Sequence, residues 1–210
     1  MPLRTVVPIL IAVVLLLSAG RSWGGEAHSI LEVRQVPVAG YLPVIRQAPP
    51  FTLERSDGAQ IRLSDLRGKV AIVAFVYTSC TDTCPLMSGK LAILQRRLQE
   101  KKLLRDRVMI VSITFDPRRD TREVLQRYAN GFGADPEGWL FLRGSAAETA
   151  HLLAEYDVWV RPAPDGEFDH ADRIFLIDQA GRIREIYNQR LFSVEWVLRD
   201  ALSLLSPGAQ

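Results

Sequence analysis

The residues best equipped for chemistry are Cys80 and Cys84, the only two cysteines of the chain, in the stretch SCTDTCP. A thiolate is a nucleophile, a metal ligand and one half of a disulfide. The spacing is Cys-x3-Cys-Pro, one residue wider than the Cys-x2-Cys of ordinary disulfide oxidoreductases. The wider turn lets both sulfurs converge on something between them. A purely structural disulfide here would close a very small loop and constrain little of the unfolded chain. A redox pair or a metal-binding pair is the better reading. Two thiolates leave a metal site incomplete, and histidine is the best candidate for a third ligand. The chain has three histidines. His28 lies in a stretch without periodicity, and His151 lies within a helical pattern, HLLAEY. His170 stands in a loop just before an apolar strand, where it could lie over the cysteine turn. On spacing alone, a loop hydrogen bond accounts for His170 better than a metal does.

The elements that must position these groups are legible on either side. The apolar run 70–77 (VAIVAFVY) has the length and the Val/Ile content of a buried strand. Pro85 opens a helical pattern over 85–102 with Met87, Leu91, Leu94 and Leu98 on one face. Both thiols then sit at or near a helix N-terminus, where the helix dipole and free N–H groups favour the thiolate. A hairpin is expected at 51–53 and 61–63, and a short turn at 64–69. Further strands are expected at 107–115, 139–143, 173–178 and 182–187. Helices are expected at 122–132, capped by Asp120 or Thr121, at 146–156 behind Gly144-Ser145, and at 193–205. Residues 161–169, with two prolines and a glycine, read as the loop that delivers His170. This order predicts an α/β thioredoxin-like fold: a central mixed sheet flanked by helices, with an added N-terminal β-hairpin. The cysteine turn falls at the carboxyl end of a strand, where open α/β sheets bind ligands.

Composition sets the compartment and excludes other partners. The 210 residues are 48% hydrophobic and 24% charged, enough for one globular domain with a leader. A net charge of +2 without a dense basic run gives no sign of nucleic-acid binding. Arg4, the apolar run 6–17 and Ser18-Ala19-Gly20 read as a signal peptide or membrane anchor over 1–20. The apolar run is shorter than the roughly 20 residues of a spanning helix. No cysteine follows it, so a lipoprotein anchor is not expected. Residues 21–45 read as a linker and 46–206 as the functional domain. Export to a bacterial periplasm, with the N-terminal segment cleaved or retained at the inner membrane, is the expected location.

Three blocks taken together carry a resemblance: SCTDTCP after the first strand, FDPRRDT after the second, and FDHADRIFLID near the end. In this order they resemble the Sco/SenC family, thioredoxin-fold copper proteins of cytochrome c oxidase assembly, over residues 48–205. The resemblance implies a copper site, Cu(I) or Cu(II), with Cys80, Cys84 and His170 as ligands. Soft thiolates with an imidazole suit that metal, although zinc would also accept the set. It implies a role for Asp116, whose alternative is a turn residue bonding its own backbone, and it places Asp169 beside the histidine. It implies delivery of copper to oxidase subunit II, with a thiol reductant or another copper chaperone as further partner. Thr81-Asp82-Thr83 depart from the family's common turn, in which proline often follows the first cysteine. The competing reading is a thiol-disulfide oxidoreductase using Cys80 and Cys84 alone. A peroxiredoxin-like peroxidase is less well matched, because Thr78 stands two residues before Cys80, where that motif needs three.

Overall fold

The computed structural model describes residues 42–164, 166–188 and 192–206. The expected leader over 1–20, His28 and most of the expected linker lie outside the described residues. Ten strands and four helices follow in order among the described residues: β1 (Arg46–Gln47), β2 (Thr52–Arg55), β3 (Gln60–Arg62), β4 (Val70–Val76), α1 (Thr83–Glu100), β5 (Val108–Thr114), α2 (Arg122–Gly131), β6 (Trp139–Arg143), α3 (Ala146–Glu155), β7 (Val160–Pro162), β8 (Phe168–His170), β9 (Arg173–Ile177), β10 (Arg182–Asn188) and α4 (Val194–Leu205). One sheet runs β1-β10-β9-β4-β5-β6-β2-β3, and β7 pairs with β8 apart from it. Strands β4, β5 and β6 are parallel, whereas β9 joins β4 antiparallel. The sheet is mixed, and β2–β3 is the added N-terminal hairpin.

Strand β4 is central, and all seven of its residues are buried. Its side chains alternate between two cores, as the two-residue period of a strand requires. Val70, Ile72 and Ala74 face Leu91, Leu94 and Leu98 of α1 and Val197, Ala201 and Leu204 of α4. Ala71, Val73 and Phe75 face Leu152 of α3, Tyr156, and Leu63 and Leu66 of a single 3-10 turn. The apolar face read on α1 is therefore real, and each of those leucines is fully buried. A strand covered on both faces reads as the continuous apolar run seen in the sequence.

Two expectations need correction. Helix α1 begins at Thr83, not at Pro85. Proline fits the first turn of a helix because its missing N–H belongs to a position that has no intrahelical acceptor, so Cys84 is helical and Cys80 is not. The segment 161–169 is a two-stranded hairpin, β7–β8, instead of an open loop, with Val160 paired to His170. His170 consequently ends a strand. Other boundaries differ from expectation by one or two residues, and Thr121, not Asp120, caps α2. Among the described residues no helix is long and apolar enough to cross a membrane.

Candidate metal centre

The chain leaves β4 at Tyr77 and turns through Thr78 and Ser79 to Cys80. Both cysteines are free. They are also buried, Cys80 at 8% and Cys84 at 3% exposure. The turn ends at a helix whose N-cap residue, Asp82, makes no side-chain cap. The sulfur of Cys80 fills that place: the Cys84 backbone N–H donates to it at 3.3 Å. Thr83 Oγ1 lies 3.8 Å from the same sulfur. A negative sulfur at a helix N-terminus satisfies an otherwise unpaired N–H and meets the positive end of the dipole.

The two thiols differ in acidity as a result. Burial pushes the Cys80 thiol up, but the N–H groups of Cys84 and Asp82, the Tyr77 hydroxyl and the Cys84 thiol outweigh it and leave it below the ordinary value. At Cys84 burial dominates, the neighbouring Cys80 adds to it, and the thiol is held well above the ordinary value. Cys80 is the readier thiolate of the two.

A carboxylate expected from the sequence only as a candidate helix cap sits beneath this turn. Asp120 is completely buried. It accepts from the Thr78 N–H at 3.1 Å and from the hydroxyls of Thr78 and Thr114 at 2.5 Å each. Burial raises its pKa, and those three donors only partly offset the effect. Asp116, four residues earlier, is also buried, and its carboxylate takes the guanidinium of Arg119. Its N–H donates to Thr114 Oγ1 at 3.0 Å. Asp116 is therefore tied to Arg119 and to its own loop.

The hairpin brings His170 to the same end of the sheet. The imidazole, only 7% exposed, packs 5.0 Å from the Phe115 ring and 5.9 Å from the Tyr77 ring, centroid to centroid. Its Nδ1 lies 3.2 Å from Asp172 Oδ1. A carboxylate beside Nδ1 is the arrangement that, in metal-binding histidines, leaves Nε2 as the ligand atom. Asp169, expected beside the histidine, is exposed, because adjacent strand residues point to opposite faces. Asp172 takes the place expected of it. Sequence spacing alone offers His-x-Asp and Asp-His equally, and only the strand's pleat separates them. His151 lies on the exposed surface of α3.

Cys84 and His170 line one cavity of about 10 Å³, together with Met87, Asp172 and Thr83. That is room for about one water molecule, so a bare ion fits and an organic cofactor does not. Among the described residues, no three His, Cys, Asp or Glu side chains already stand as a closed metal-holding group. The structure brings Cys84 and His170 to a shared cavity and sets Cys80 beside Cys84. It does not draw the three into one ligand set.

A thiol pair at the first strand-to-helix turn of this mixed sheet defines a thioredoxin-like protein. The chain belongs to the SCO1/SenC family, whose model matches residues 43–205. A SCO2-like protein of Rickettsia prowazekii is 30% identical over 162 residues, 72% of this chain and 76% of its own. A SCO1/SenC family lipoprotein of Bacillus anthracis superposes with a TM-score of 0.69 at 28% identity, over 82% of this chain and 99% of its own. ScoI of Bradyrhizobium japonicum, whose structure was solved with copper bound, superposes with a TM-score of 0.64 at 29% identity, over 74% of this chain and 98% of its own.

Proposed function

We propose that this protein is a copper metallochaperone that binds one copper ion through Cys80, Cys84 and His170 and passes it to the copper site of cytochrome c oxidase subunit II. Copper is the cargo here, not a resident cofactor. The observation that carries the reading is the ion-sized cavity shared by Cys84 and His170, with the Cys80 sulfur accepting from the Cys84 N–H at 3.3 Å. Two thiols, one of them favoured as the thiolate, and an imidazole form a donor set of the kind Cu(I) prefers, and it can also hold Cu(II). The copper-bound relative supports the choice of metal. The oxidase as recipient rests on the family resemblance.

The chain's own residues do the holding. The helix N-terminus favours the Cys80 thiolate, and metal binding releases the proton that burial keeps on Cys84. Asp172 orients the imidazole. A site not closed in the absence of metal needs His170 to swing in, and the same motion in reverse releases the ion to a partner's ligands. Delivery at a periplasmic membrane surface, from a chain exported and held there by residues 1–20, completes the reading, with a thiol reductant or a second copper chaperone as the other partner. The test is to add Cu(II) to the reduced chain and watch for sulfur-to-copper charge-transfer absorption. The band is expected in the parent and should vanish in Cys80→Ser. Its absence from the parent, with no tight copper binding, would reject the proposal.

A second reading is favoured by the unequal acidity of the thiols. In a reductase, the Cys80 thiolate attacks a client disulfide, forms a mixed disulfide and releases one client thiolate. Cys84 then gives up its proton and attacks the Cys80 sulfur. The second client thiolate leaves, and the pair ends oxidised by two electrons. Cys84→Ser would trap the mixed disulfide on Cys80. This route needs no His170.

A further inference from the structure

Arg119 lies between Asp116 and Asp120, apart from both the thiol turn and the hairpin, yet it touches elements of each. Its Nε donates to the Asp116 carboxylate. Its Nη1 donates to the Gly166 carbonyl at 3.0 Å, at the tip between β7 and β8. Its guanidinium lies over the Phe168 ring at 5.1 Å and the Tyr77 ring at 5.9 Å. Phe168 and His170 are two apart on β8, so they share a face, and both rings pack on Phe115 and Tyr77. A second tie joins the same parts: the Tyr77 hydroxyl donates to Glu167 at 2.5 Å.

The short β7–β8 hairpin belongs to neither edge of the main sheet. A two-stranded hairpin has little stability of its own, so its place depends on such ties. Only a planar fork can bond a carboxylate with one edge, a carbonyl with another, and offer its face to an aromatic ring. We infer that Arg119 is a positioning residue: anchored by Asp116, it pins the hairpin against Tyr77 and so sets where His170 stands relative to the cysteine turn. No hydrogen bond joins Arg119 to either sulfur. The effect of Arg119 on copper, which rests on the copper-chaperone reading, is exerted on His170 through the hairpin. The side chain is 43% exposed, so removing it opens no hole in the core.

The experiment uses the reduced full chain and Cu(I), with affinity read by competition against a chromophoric chelator. Arg119→Ala is expected to bind about tenfold more weakly than the parent, in the range that loss of a ligand-orienting partner produces. Arg119→Lys keeps the charge beside Asp116 but loses the fork, and is expected to stay near the alanine variant. The double variant Arg119→Ala with His170→Ala is expected to match His170→Ala alone within about twofold, because the two act on one limb of the site. In metal-free protein, the ring-proton NMR signals of His170 should shift in Arg119→Ala, while the Cys80–Cys84 reduction potential stays put. Parent-like affinity with unmoved His170 signals, or full additivity in the double variant, would overturn the inference. If His170→Ala binds copper like the parent while Arg119→Ala still moves the His170 signals, the copper reading fails and the positioning role stands.

Discussion

At Cys80 the sulfur occupies the place that a Ser, Thr or Asp oxygen usually takes at a helix N-terminus, with the Cys84 N–H 3.3 Å away. The helix thereby makes one thiol acidic while burial keeps its partner protonated. Alkylation of the reduced protein should therefore begin at Cys80, with its rate midpoint at lower pH than that of an ordinary thiol. Cys84→Ser should label like the parent, and Cys80→Ser at least about tenfold more slowly. Mass-spectrometric timing of iodoacetamide labelling across pH checks both statements. Asp120 makes the opposite kind of prediction. Its folded pKa is raised, chiefly by burial. Its contribution to stability is thus full below the ordinary carboxylate pKa of about 4 and is lost as pH rises through the raised value. Asp120→Asn keeps an acceptor for Thr78 and removes the buried charge. Urea unfolding should show a flatter pH dependence above about pH 4 in the variant, and an unchanged slope would contradict this account of the residue.

Among the elements, the β9–β10 hairpin shows how the sheet is locked. Asp178, just past β9, is 1% exposed and accepts from Arg184 and Arg182 at 2.8 Å each. Burial pushes its carboxyl up, but the Arg182 N–H and the two guanidinium groups prevail and hold it below the ordinary value. Its stabilisation is present above the unfolded carboxylate pKa and is lost as pH falls through the depressed folded value. Asp178→Asn removes the buried carboxylate that faces the Arg184 guanidinium and should cost about 3–5 kcal/mol at neutral pH. It should also weaken the acid limb of the stability profile, measured by thermal unfolding from about pH 3 to 7. Elements that announce themselves by periodicity were legible from sequence: β4 as an unbroken apolar run, α1 by its Leu91-Leu94-Leu98 face. The β7–β8 hairpin was not. Pro162, Pro164 and Gly166 erase any alternation, and proline is tolerated there because each strand of a pair has one free edge. The thiol pair and His170 could be found by residue type. Asp120 and Arg119 could not, because their roles come from contacts across the chain: Thr78 with Asp120 lies 42 residues apart, and Arg119 with Gly166 lies 47.

In the whole molecule, three segments distant in sequence meet at one end of the sheet: the cysteine turn after β4, the loop after β5 and the β7–β8 hairpin. Two follow directly on fully buried parallel strands. The third is held by side-chain ties, which suits a ligand that must close on an ion and open again. Copper binding and disulfide formation use the same two sulfurs, so they exclude each other. Protein oxidised to the Cys80–Cys84 disulfide should retain no copper after desalting, and reduction should restore it. The most direct measurement is the copper affinity of the reduced chain beside that of His170→Ala. The account predicts one copper per chain in the parent and affinity lower by at least about tenfold in the variant, since a lost ligand costs no less than a lost ligand-orienting partner. Equal affinity in the two proteins would contradict the three-ligand site and leave Cys80 and Cys84 as a thiol-disulfide couple.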